Sequence, residues 1–453
     1  MSEVWPGAVR ENERVITDAT VVLAHGIGGR QDLPLPLDLM VQGAVLALLA
    51  SFFGLGVLWR TPRLRAGAAG RAVPLPIQRL VDSAGLRWLL RLLGLAATAY
   101  VVATALLVPD DGTNPLPYAV YVLFWVGIVP LSLLFGRVWR LVNPLRTIHL
   151  LLAAITRIPA DRGLLPLPPW LGYWPAALSL LSFVWLELAA PNGAAVNVLL
   201  LYLTIYAAVH LSAALLFGQR WFATGDGFEA YSTLVGTMAP FGRRDDGRLV
   251  LRNPLDGVAT FGPAPGIVAL IAVLLGSTFF DSVSGSPDWT RAIQAAPLPA
   301  ALVSTAGLLL MIAIVAFTFV GATVLAGRAG HRGRRPVPGL LAHTVIPIVV
   351  GYVIAHYFSL LLFQGQQAIV MLSHPLGSNA AISGAVNYGL VTATGIAFIQ
   401  VIAVVIGHVL AVISAHDRSV ALFPRSEAVV GQLPLMVLMV GYTVGGLTLL
   451  FAA

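Results

Sequence analysis

The chain has no cysteine, and reading along it shows no lysine either. Without cysteine there can be no thiolate-held zinc, iron–sulfur cluster, c-type haem attachment, disulfide or palmitoyl anchor. Without lysine, every fixed positive side chain is an arginine. Charge is scarce overall, at 10% of 453 residues, where an ordinary globular domain carries about a quarter. The first 38 residues lack a long apolar run, so no secretory signal peptide is expected and the first span is expected to act as the insertion signal. There is no HExxH, paired-aspartate box or Walker loop, so no motif of diagnostic spacing announces a reaction.

What is present is apolar surface: 58% hydrophobic residues and a mean hydropathy of +0.85. Runs near twenty residues recur, each matching the ~20 residues that cross a bilayer as a helix. The expected fold class is therefore all-α, a polytopic helical membrane protein with about ten spans, at 39–59, 86–108, 116–136, 170–190, 196–217, 265–283, 298–326, 340–364, 386–414 and 431–451. Ahead of them lies an arm, 1–38, rich in Gly and Pro and holding His25, Arg30, Asp32 and Asp38.

A net charge of +7 suggests nucleic acid only until the arginines are located. They concentrate in alternate connections, 60–85, 137–169, 218–264, 327–339 and 415–430, while PDDGTNP, APNGAA and 365–385 hold none and the remaining one between spans holds Arg291 alone. That alternation is a topology signal. It puts those five connections in the cytoplasm and both termini outside in a multi-pass membrane protein, and it argues against a nucleic-acid partner. Two of the connections carry apolar residues at helical spacing, 147–158 and 228–238, and both are expected to be helices lying on the membrane surface, with a gate or re-entrant element as the alternative.

Ionisable side chains inside spans are costly, and they usually face a bundle interior or an aqueous path. The stretch 342–374 is the richest in them, with His343, His356 and His374. Tyr352, His356 and Ser359 share one helix face, and His356 lies roughly 12 Å below the expected outer end at 1.5 Å per residue. His25, Glu187, Asp281 and His356 form the expected outer group. Imidazoles and carboxylates of this kind are the ligands expected for zinc, or for iron or copper in a thiol-free site. An inner group holds Tyr202, Tyr206 and His210 on one face of the fifth span, His408 in the ninth, and Asp226 and Glu229 in GDGFEAY. His210 and His408 at comparable depth raise a lesser possibility, axial ligation of a b-type haem. For any single histidine here, a hydrogen bond to a neighbouring helix is the plainer role.

Several segments together carry a family resemblance. They are AHGIGGRQDLPLP (24–36), NPLRTIH (143–149), WFATGDGFEAYS (221–232), FDSVSGSPDW (280–289), AHYFSLLLFQGQQAI (355–369) and GHVLAVISAHDRSVALFPR (407–425). In these the chain resembles the polytopic membrane proteins of high-GC Gram-positive bacteria commonly labelled fenitrothion hydrolase. That resemblance implies a membrane-embedded hydrolase of organophosphate-type esters. In it a divalent metal would activate water, His25, Glu187 and His356 would be ligands or their supports, and Asp281 a ligand or general base. The residues alone leave a second reading open, a transporter of a metal ion or small solute with the inner group as its second station.

Overall fold

The computed structural model describes residues 33–110, 112–329, 337–375, 384–424 and 427–451. Among the described residues the chain is all-α apart from three very short strands. Its helices are α1 (Leu37–Leu58), α2 (Leu75–Asp82), α3 (Ala84–Leu107), α4 (Tyr118–Phe135), α5 (Pro144–Thr156), α6 (Trp174–Leu188) and α7 (Val196–Phe217). They continue as α8 (Arg220–Gly225), α9 (Gly227–Gly236), α10 (Ile267–Ser284), α11 (Ala300–Ala329), α12 (Ile346–Ser373), α13 (Ala393–Leu422) and α14 (Leu433–Leu450). Among the described residues, nine helices are long and apolar enough to cross a membrane. Most lie within a few residues of the expected spans.

Three differences matter. The expected fourth span is only the 15-residue α6, which at 1.5 Å per residue reaches about 22 Å, short of the ~30 Å hydrocarbon core. Pro168, Pro169 and a turn through Gly172 delay its start, and Pro191 follows its end. Helix α12 runs nine residues past the expected end of its span, because Gln366 and Gln367 sustain the helix rather than ending it. His356 is therefore roughly 26 Å from the far end of α12, near mid-bundle rather than close to one surface. Helix α13 starts later than expected, where Thr392 caps it by accepting from the Gly395 N–H, and it carries His416 and Asp417 within its last turns.

The arginine-bearing connections gather at one end of the bundle. Strands β1 (Arg71–Ala72), β2 (Phe241–Arg243) and β3 (Leu249–Leu251) form an antiparallel sheet in the order β1-β3-β2, tying two of those connections together. Asp417 accepts from the Trp59 indole and from the backbone of Arg63 and Leu64, which joins a third connection, 415–430, to the first. On the exposed β2–β3 hairpin the Arg244 guanidinium, hydrogen-bonded to Asp246, lowers that carboxyl to about 2. The arginine-poor connections meet at the opposite end, where Asp110 accepts from Val196 N and Tyr121 donates to Gly193 O.

Helix pairs in lipid gain little from the hydrophobic effect and associate by close packing. The most extensive pairing joins α12 and α13, which come close at Gly351 and Gly407, where a Cβ on Gly351 would stand 2.5 Å from Ala403 O. Helix α4 begins with π-helical turns over Tyr118–Val126, with Gly127 N bonded to Val122 O five residues back. Pro130 just beyond supplies no N–H, and such widened turns concentrate where side chains must be re-aimed.

The expected surface helix at 228–238 is instead α9, and it is inside the bundle. Every residue of α9 except Thr233 is buried. The segment leaves the arginine-rich end after Phe217 and turns at Asp226, against Ser179 within α6. It then returns to that end, with Gly236 pressed on Gly136 and β2 following. Its apolar face is as the sequence indicated, and the polar residues Asp226, Glu229 and Ser232 all find buried partners, so burial leaves none of them stranded. Helix α5 does expose an apolar edge, at Leu151 and Ile155.

Candidate functional site

Two buried polar clusters occupy the core. The first is built from α10 and α12. His356 Nε2 lies 2.8 Å from Asp281 Oδ2, and the Tyr357 hydroxyl donates to the same carboxylate oxygen at 2.8 Å. His356 Nδ1 lies 3.1 Å from Ser282 Oγ, which is 2.9 Å from the Tyr352 hydroxyl. Tyr352 and His356, four residues apart, stack with their rings nearly parallel, as one helix face requires. The hydrogens admit two directions. With His356 neutral, its Nε2–H donates to Asp281, Ser282 donates to Nδ1, and Tyr352 donates to Ser282. With His356 protonated the chain reverses, and Tyr352 is left to donate to Gly446 O at 3.5 Å. Histidine charge thus changes the bonding of a tyrosine two links away.

Glu187 of α6 completes this cluster. It lies within electrostatic reach of Asp281, of Tyr357 and of Tyr231 from α9. Its Oε2 is shielded from solvent and has no hydrogen-bond partner among the described residues. Trp125, from the π-helical part of α4, packs on Tyr231 with ring centroids 5.0 Å apart. Its Nε1 sits beside the Tyr357 hydroxyl without a hydrogen bond of normal geometry.

The second cluster surrounds the start of α9. Asp226 caps that helix, its Oδ1 accepting from the N–H groups of Phe228 and Glu229. The same oxygen accepts from the Tyr206 hydroxyl at 2.7 Å, and Oδ2 accepts from Asn143 at 2.8 Å. One turn on, Arg146 grips Glu229 through two parallel bonds of 2.6 Å, with both side chains buried. His210 accepts from the Trp221 indole at Nδ1 and meets Ser179 at Nε2. Each of these polar side chains has a partner.

The structure brings Asp281 and His356 into contact and places Glu187 beside them. His25 lies outside the described residues. No three His, Asp or Glu side chains stand together as a metal ligand set among the described residues. Asp281 and His356 are bonded to each other, and the second imidazole nitrogen is taken by Ser282, so this arrangement does not fit a divalent metal. Nor does His210 fit a haem iron: its Nδ1 lone pair is used by Trp221, and α7 packs on α5 and α8 while α13, with His408, packs on α1, α12 and α14. His408 bonds Val404 O through Nδ1, its Nε2 unpartnered. His416 is structural, bridging Gln432 and Trp59 O, and His374 reaches only its neighbour Ser373.

Sequence reasoning missed Tyr357, Ser282, Trp125, Tyr231, Asn143 and Arg146. For two of them a signal existed. Ser282 and Tyr357 adjoin Asp281 and His356, and a helix carries neighbouring residues about 100° apart, near enough for one cluster. Arg146 was counted among the arginines of a connection, and nothing in NPLRTIH marks it as buried.

No family model, no curated protein and no solved structure matches this chain. The fenitrothion-hydrolase resemblance therefore stands on its sequence segments alone.

Proposed function

We propose that the protein carries a small solute or ion across the membrane, through the core bounded by α4, α6, α9, α10 and α12. The observation that carries this reading is α9. It is a short helix entered from and returned to one end of the bundle, buried at every residue but Thr233, with its N-terminus in one polar cluster and Tyr231 beside the other. Non-spanning helices that end inside the bundle, with ionisable groups at their ends, are how transporters build a path at membrane depth. The π-helical turns of α4 beside Trp125 add a second irregular element at the same level.

Reconstitution tests it. Liposomes containing the protein should accumulate at least one of a panel of radiolabelled alkali ions, amines, amino acids and phosphate esters. A cross-link between Cys residues placed at Trp125→Cys and Tyr231→Cys should abolish that uptake. A panel that shows no uptake beyond protein-free liposomes, with or without the cross-link, counts against transport.

One observation favours the hydrolase reading as a second proposal. Ser282, His356 and Asp281 stand in hydroxyl–imidazole–carboxylate order, the arrangement in which a histidine takes the proton of an attacking serine. Here the carboxylate bonds Nε2 and the hydroxyl Nδ1. Phosphotriester turnover that is lost in Ser282→Ala yet indifferent to chelator supports this serine route. Loss with chelator instead supports the metal-dependent route that the resemblance implies. Absence of turnover removes both.

A further inference from the structure

We infer that the seam between α3 and the helical turn Val138–Val142 holds the phosphate of an anionic phospholipid, at the arginine-rich end of the bundle. The inference is independent of the transport reading, because it concerns the flank of the bundle and not its core. Helix α3 packs chiefly on this turn and on α5. Gly94 of α3 presses on Val142 O so closely that a Cβ has no room. Arg87, Arg91 and Gly94 stand at i, i+4 and i+7, so both arginines lie on the face of α3 that meets the turn. The facing segment brings Arg137 and Arg140, and then enters α5 with Arg146. Arg146 is the common neighbour. Arg91 and Arg140 each lie within electrostatic reach of it, Arg91 also of Arg87, and Arg140 also of Glu229 and Arg137.

Like charges thus meet across a helix contact. Among the described residues Arg91, Arg137 and Arg140 make no ion pair and no side-chain hydrogen bond, and Arg91 lies over the Trp88 ring. The carboxylates nearby are already engaged: Glu229 is held by Arg146, and Asp82, which also reaches Arg87, is held by Arg243. Beyond Arg137, Arg252 is offset by Asp256. One phosphodiester between Arg91 and Arg140 turns their repulsion into two attractions, and a guanidinium meets phosphate oxygens through paired N–H groups. The surroundings favour a lipid over a free phosphate. Trp88, Leu89, Leu92 and Leu93 are exposed along the same turns of α3, and Leu141 beside Arg140 is exposed too. Along its whole length α3 buries only Thr104 and Ala105, so an acyl chain has an open apolar flank to follow. Basic side chains between helices at the boundary of a span are where anionic headgroups dock.

The test uses the purified, delipidated full-length protein in maltoside micelles, with thermal unfolding followed as lipid is added. Phosphatidylglycerol should raise Tm by a few degrees, while phosphatidylcholine at the same mole fraction should not. Inorganic phosphate and glycerophosphoglycerol, which carry the charge without acyl chains, should leave Tm unchanged at the same concentration. A shift with these equal to that with phosphatidylglycerol would assign the seam to a free anion and overturn the lipid inference. The double variant Arg91→Gln with Arg140→Gln should lose the phosphatidylglycerol shift. Arg157→Gln with Arg162→Gln, beyond the far end of α5 in the same connection, should keep it. Native mass spectrometry should show phosphatidylglycerol retained by the parent, and retention at least about tenfold weaker in the Arg91 and Arg140 double variant. Should that variant fail to fold, Arg140→Gln alone changes an exposed side chain and is expected to weaken retention severalfold. No shift specific to phosphatidylglycerol in the parent overturns the inference. So does a shift that survives the substitutions at Arg91 and Arg140, or one that falls equally with those at Arg157 and Arg162.

Discussion

The two buried clusters differ in saturation. Around Asp226 every polar side chain has a partner, and the acid–base pair Arg146–Glu229 is bidentate and self-neutralising. Around Asp281 the bonding is just as close, yet Glu187 Oε2 has no hydrogen-bond partner among the described residues and Trp125 Nε1 meets the Tyr357 hydroxyl only in poor geometry. A saturated network rigidifies, whereas an unsaturated one marks a place where a ligand completes the set. The Asp226 cluster accordingly reads as the latch that holds α9 in the bundle, and the Asp281 cluster as the place where cargo meets protein.

That contrast orders the expected effects of substitution. The largest belongs to the latch. Glu229→Leu strands a buried guanidinium and should cost about 3–5 kcal/mol, while Arg146→Met with Glu229→Leu should recover most of that loss. Unfolding in micelles measures both, and a harmless single change would break the latch assignment. Next, Asp226→Ala removes the cap of α9 and the partners of Tyr206 and Asn143, an expected loss of roughly 2–3 kcal/mol. At the other cluster, Tyr357→Phe should change stability by only about 0.6 kcal/mol, the ordinary worth of a hydrogen bond between helices in lipid. Glu187→Gln should leave stability within about 1 kcal/mol of the parent while abolishing uptake, because it removes an uncompensated group rather than a bond. A Glu187→Gln protein that unfolds as readily as Glu229→Leu would erase the distinction between the clusters.

The smallest effect is expected far from both. Asp246 titrates near 2 beside Arg244, below its ordinary 3.8. A lowered folded-state value means that its contribution is present above about pH 4 and fades as pH falls toward 2. Being fully exposed, it should alter only the hairpin: protection factors of the β2–β3 amides, corrected for the intrinsic pH dependence of exchange, should fall on acidification, and much less so in Asp246→Asn.

The sequence showed most of the helices because ~20 apolar residues in lipid have few alternatives to a helix. It showed which connections meet, since the arginine-bearing segments at 60–85, 218–264 and 415–417 do gather through the sheet and Asp417. The burial of α9 was not legible. Phe228, Tyr231, Leu234 and Val235 recur as they would on a membrane-surface helix, and only distant partners distinguish the two: Asn143 for Asp226, Arg146 for Glu229 and Ser132 for Ser232. The unusual ionisable groups, His356, Asp281 and Glu187, could be singled out because each is expensive in a span. Tyr357 and Ser282 are ordinary in a span and are marked only by adjoining His356 and Asp281, and Trp125 carries no such mark. The length of α12 was misjudged for a related reason, polar Gln366 and Gln367 resembling a loop when they remain helical.

The central claim is that the Asp281 cluster lies on a path through the membrane. The absence of native cysteine makes its test free of background. Single-cysteine proteins, Ser282→Cys and Phe228→Cys, are to be treated in sealed, oriented vesicles with a membrane-impermeant thiol reagent. The account predicts that Cys at 282 is labelled from the arginine-poor face and Cys at 228 from the arginine-rich face. Saturating cargo should protect the former. If neither position is labelled from either face, with or without cargo, the core is not a path and the account is wrong.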